Sequence, residues 1–123
     1  MAKSIADAVY DAALNYIKNN CTRVVVCNAE PTTYTEANAT YALADVTVDS
    51  SDFTGPANGD VSGRKITFGA QSTVTVDTPD NATHVAFLDV ANTALLFVTT
   101  CSTTAIAGTV NISGLDLEMG DPT

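Results

Sequence analysis

Apolar residues recur every three or four positions near the start of the chain and at every second position through much of its later half. That change of period predicts one helix followed by strands. Residues 4–19 carry the helical period, with Ser4 placed to cap the first turn and Asp7 three positions on, near the positive end of the helix dipole. Ile5, Val9, Ala13, Tyr16 and Ile17 form the apolar stripe, which is expected to face the core or, failing that, a neighbouring subunit. Lys18 sits in the last turn and Asn19-Asn20 end the helix.

Thr22–Cys27 is a run of β-branched residues between two asparagines, the pattern of a buried strand. Pro31 breaks the pattern, and residues 33–44, with Ala37, Tyr41 and Ala44 on one side, suggest a short second helix. Residues 45–63 hold Gly55-Pro56, Asn58-Gly59 and Ser62-Gly63 and read as a long irregular loop, able to reach a neighbour. Polar and apolar residues then alternate through 64–70 and 72–77. A turn at 78–81 precedes a strand at 83–89, a reversal at 90–93 and a hairpin partner at 94–101. A last strand covers about 109–117 with Gly114 interrupting it, and 118–123 is left as a tail. The expected fold is mainly β: an antiparallel β-sandwich or open barrel with one N-terminal α-helix, as a single domain over residues 1–123.

Composition supports this reading. Nineteen threonines, many alternating with Val, Ile or Phe, suit pleated strands with one wet face. Hydrophobic residues make up 46% of the chain and charged residues only 15%, too apolar for disorder. The net charge is −9, and beyond Lys65 come Asp77, Asp80, Asp89, Asp116, Glu118 and Asp121 with no basic residue. Such a surface repels phosphates, so neither nucleic acid nor an anionic membrane is an expected partner. No apolar run reaches the length of a membrane span. Met1-Ala-Lys-Ser leads into a helix bearing Asp7 and Asp11 rather than an apolar stretch, so Cys21, Cys27 and Cys101 are expected reduced, in a cytosol. Cys27 and Cys101 end buried strands and should be the shielded pair, with Cys21 the more exposed thiol.

Candidate chemistry is sparse. His84 is the single histidine, and no Cys-x-x-Cys accompanies it, so a metal site built on these residues is not expected. A dyad of His84 with Cys27 or Cys101 needs a proximity that the sequence does not indicate. Asp49/Asp52 and Asp77/Asp80 lie in loops without an EF-hand spacing, and turn-forming aspartates account for both pairs. A calcium-dependent carbohydrate-binding module using Asp77, Asp80 and Asn81 is the least favoured alternative. No catalytic, cofactor-binding or metal-ligating residues are assigned, and an enzyme is not expected.

Several stretches resemble small virion proteins of tailed bacteriophages. They are Ser4-Ile-Ala-Asp-Ala-Val-Tyr-Asp-Ala-Ala-Leu14, Cys27-Asn-Ala-Glu-Pro-Thr-Thr-Tyr34, Lys65-Ile-Thr-Phe-Gly-Ala-Gln71, Ala82-Thr-His-Val-Ala-Phe-Leu-Asp89, Leu95-Leu-Phe-Val-Thr-Thr-Cys101 and Leu115-Asp-Leu-Glu-Met-Gly-Asp-Pro122. The resemblance implies a capsid decoration, or cement, protein, made in the host bacterial cytoplasm and carried on the capsid surface of the virion. Its implied partner is the major capsid protein, and it would act as a homo-oligomer, with a trimer favoured and a dimer possible. No cofactor is implied. A tail, neck or receptor-binding component is the alternative place in the virion. The candidate contact elements are the helix at 4–19, the loop at 45–63 and the tail at 114–123. Ile5, Val9, Tyr16, Phe53, Asp116, Glu118 and Asp121 are the candidate contact residues.

Overall fold

A computed structural model describes residues 3–122. It contains the helix α1 (Asp7–Asn20) and the strands β1 (Arg23–Cys27), β2 (Ala42–Thr47), β3 (Phe53–Asn58), β4 (Arg64–Phe68) and β5 (Gln71–Thr75). The strands β6 (Asp80–Asp89), β7 (Ala94–Ile106), β8 (Thr109–Ile112) and β9 (Leu115–Met119) complete it. The strand pairings are antiparallel, in sheets of order β2-β1-β6-β7, β3-β4-β9 and β5-β8. A bridge between Ala44 and Val76 ties the first sheet to the end of β5. The fold is therefore mainly β and antiparallel with one N-terminal helix, as the alternation of the sequence predicts.

The Val-Val-Val-Cys run of β1 does not alternate because both of its faces are covered. Val24 and Val26 join Val85, Phe87, Phe53 and Phe68 in the main core. Val25 and Cys27 join Ala86 and Leu88 on the opposite face, under Ala37 with Tyr34 and Tyr41 alongside. That cover comes from residues 28–41, which include a π-helical turn at Glu36–Thr40. A central strand with no wet face reads as a continuous apolar run. At the centre of the main core Phe68 meets Phe87 edge-on, with ring centres 5.0 Å apart, and Phe53 lies 5.2 Å from Phe68. Offset and edge-to-face rings of this kind add to the energy of burial itself.

Five expectations change. The helix starts at Asp7, and its N-cap residue is Ala6, with no side-chain cap, so Ser4 does not cap it. Its buried residues are Tyr10 and Leu14, with Ile17 packed against the core, so the inward stripe runs one position off the expected one. The short helix expected at 33–44 gives way to β2 from Ala42, because Leu43 and Ala44 are needed in the core beside β1. The loop at 45–63 is interrupted by the 3-10 turn Ser50–Asp52 and by β3, which pairs with β4. The stretch around 109–117 divides into β8 and β9 on either side of Gly114, whose missing side chain leaves room for the Phe68 carbonyl. Gly63, at φ +69°, makes the turn into β4 against the backbone of Met119, a conformation that side chains rarely adopt.

The β6–β7 reversal falls where the sequence places it. Asp89, a carboxylate only 2% exposed, accepts from the Asn92 backbone N–H at 3.2 Å and from its side-chain amide at 2.7 Å. Those two bonds satisfy a group that would be costly to bury alone.

Candidate functional site

α1 wears its charges on the wrong side for a soluble surface helix. Asp11 turns toward the sheets and holds Arg64 of β4 through two bonds, at 2.8 and 3.2 Å, while Lys18 donates to the Gly55 carbonyl at 2.9 Å. The hydrogen bond to Asp11 holds the Arg64 guanidinium above its ordinary value. The outward side carries Ile5, just before the helix, then Val9, Ala12, Ala13 and Tyr16, all exposed. Val9 is 60% exposed, Tyr16 55% and Ile5 39%. These three candidate contacts do lie together on an open face. At 100° per residue they span one uncharged side of the helix.

The other candidates fall elsewhere. Phe53 is 4% exposed and belongs to the aromatic core, so it is not available for contact. Asp116, Glu118 and Asp121 all have partners within the chain. Asp116 accepts from the Thr67 hydroxyl at 2.7 Å and from Lys65 at 3.0 Å, and these bonds, the threonine's first, pull its carboxyl below the ordinary range. Glu118 accepts from the Val61 backbone N–H at 3.1 Å and closes the turn before β4. Asp121 accepts from the Tyr10 hydroxyl at 3.2 Å. Lys65 also meets Asp60 at 2.7 Å. The last basic residue of the chain is thus spent between two carboxylates.

Strand register does what sequence reasoning could not for the thiols and the histidine. Cys27 of β1 lies directly across from His84 of β6, and His84 across from Thr100 of β7, next to Cys101. Proximity alone does not make a nucleophile. Burial pushes the Cys27 thiol up to about 11, and its sulfur lies 3.7 Å from the Ala37 carbonyl. Reactive cysteines need the opposite shift and access to solvent. Cys21 is buried rather than exposed and is also raised to about 11, chiefly by desolvation. Cys101 is the half-buried one, reversing the expected order of exposure.

Asp49 and Asp52 close a turn, whereas Asp80 opens β6. Asp49 and Asp52 cap each other's backbone around Ser50–Asp52, and Asp80 accepts from Asn28 at 3.0 Å. Among the described residues no group of three or more His, Cys, Asp and Glu is placed to hold a metal ion.

Two features were not anticipated. β7 is thirteen residues long and forms an edge of its sheet, so its outer backbone groups have no strand beside them among the described residues. Beside its second half lies a groove of about 460 Å³, floored by Val26, Val85 and Ile112 and walled by Thr100, Cys101 and Asn111. The signal was present in the sequence: residues 90–115 contain no Asp, Glu, Lys or Arg, the longest such interval in the chain.

Compared with protein-family models, curated proteins and solved structures, the chain matches none.

Proposed function

We propose that the protein is a structural component of a tailed-phage virion, a decoration protein that docks on major capsid subunits and strengthens the contacts between them. The observation that carries this reading is the outward face of α1. Ile5, Val9 and Tyr16 stand exposed on a body of net charge −9, while two of the helix's three charged groups, Asp11 and Lys18, are held against the sheets and the third, Asp7, lies in its first turn. An apolar patch ringed by polar surface is the usual mark of a protein-docking site. Tyr16 supplies the amphipathic aromatic that such sites favour. The resemblance of the sequence to phage virion proteins supports capsid subunits as the surface it docks on.

Particles assembled without the protein are expected to lose resistance to heat, and added wild-type protein to restore it. A Val9→Asp/Tyr16→Asp variant, altered at two exposed positions, should fold normally and fail to restore it. Particles equally heat-resistant with and without the protein would overturn the cementing role. Full rescue by the variant would remove α1 from the docking surface.

A further inference from the structure

We infer that two copies of this chain associate through β7, laid antiparallel to its own symmetry mate across a two-fold axis near Thr100, the middle residue of the strand. The requirement for a strand partner comes from the backbone. A β-edge presents a row of N–H and C=O groups that only another extended chain can satisfy fully, and proteins that avoid such pairing place Lys, Pro or inward charges along the edge. Ala94–Ile106 contains no Lys, no Pro and no charge, and its ladder to β6 is irregular at two points only.

The choice of a second copy comes from charge. A chain of −9 repels its own kind, and most of its surface segments would set carboxylate against carboxylate. Residues 90–115 are the longest interval where that does not happen, and they contain the whole of β7. An isologous contact brings one patch against itself, so a neutral edge is self-complementary where an acidic one is not. An axis near Thr100 sets Thr100 opposite its own counterpart, a cross-strand threonine pair of the kind that stabilises antiparallel neighbours. β7 is irregular opposite Ala82/His84 and Phe87/Leu88 and regular over Phe97–Thr100, so an axis near Thr100 sets that stretch against Thr100–Thr103 of the second copy. Pairing there would join two four-stranded sheets into one of eight, with order β2-β1-β6-β7 continued by its mirror sequence.

The test needs only free protein, so its outcome is separate from shell binding. Thr100 is exposed, and Thr100→Glu and Thr100→Lys each place like charges beside the axis. Sedimentation of wild-type protein across a dilution series should show a monomer–dimer equilibrium. Each variant alone should self-associate at least about tenfold more weakly, and an equimolar mixture of the two should recover the dimer through opposite charges. Recovery on mixing also establishes that both variants are folded. A wild-type protein that stays monomeric overturns the inference. So does a trimer, an oligomer indifferent to charge at Thr100, or a mixture that fails to re-associate.

Discussion

Tyr10 and Asp121, 111 positions apart, meet through a phenol hydroxyl that lies 3.2 Å from the carboxylate and 2.9 Å from the Gly120 carbonyl. Burial, with the neighbouring Asp121 charge, holds the Tyr10 proton more firmly than usual. The helix and the strand ending at Met119 are thereby latched at one point. Tyr10→Phe keeps the ring and removes the latch. Its thermal midpoint is expected to fall below that of wild type, and Asp121→Asn to lower it by less, since the Gly120 carbonyl still accepts.

Replacing Asp116, Glu118 and Asp121 together with amides is expected to lower stability. Each carboxylate accepts a bond inside the fold, from Thr67 and Lys65, from Val61 and from Tyr10. Loss of a charged acceptor leaves the donor with a weaker bond. A thermal melt of the triple variant that overlays the wild type would show that these acids are free for intermolecular use.

Phe87 is 1% exposed and touches three other phenylalanine rings, whereas Val9 is 60% exposed. Phe87→Ala should cost about 3–5 kcal/mol in urea unfolding, the usual range for emptying a core aromatic site. Val9→Ala should stay within about 0.5 kcal/mol of wild type. A large loss at Val9 in the monomer would mean that the helix presents a different face to the sheets.

The thiols predict a pH dependence. Cys21 and Cys27 ionise at about 11 in the fold against an ordinary value of 9.0. Folding therefore favours the protonated thiols. Their contribution is complete below pH 9, and it is lost as unfolded-state thiols ionise between 9 and 11. The urea midpoint should decline across that window. In native protein at neutral pH a thiol reagent should modify Cys101 first and leave Cys21 and Cys27 slow; fast labelling of Cys27 would contradict its burial.

What the sequence disclosed follows from where side chains were forced to declare themselves. The Val24–Val26 run named a strand because nothing but a two-faced interior accommodates it, and the turn at 90–93 was announced by Asp89 and Asn92. The helix was legible but its rotation was not. Its two apolar stripes, Ile5-Val9-Tyr16 and Tyr10-Leu14-Ile17, both suit an inward face by spacing; the sheets cover the second, and Arg64 of β4 holds Asp11 on that same side. The role of Phe53 was hidden by its setting among turn residues, since its burial depends on Phe68 and Phe87 from distant strands. The cross-strand placement of Cys27 and His84 is likewise a matter of register, which local pattern does not encode.

The placement of β1 has a consequence in time. Its residues 23–27 pair with residues 84–88, and α1 is fastened to Arg64 and finally to Gly120. Contacts so distant along the chain incur loop-closure entropy before they return any stability, which slows folding relative to a locally wired protein. During synthesis the apolar β1 run must therefore wait for β6, and the helix latch for the last strand. A nascent chain halted before residue 84 is expected to be bound by chaperones or degraded, whereas one released just past residue 121 should reach the folded state unaided.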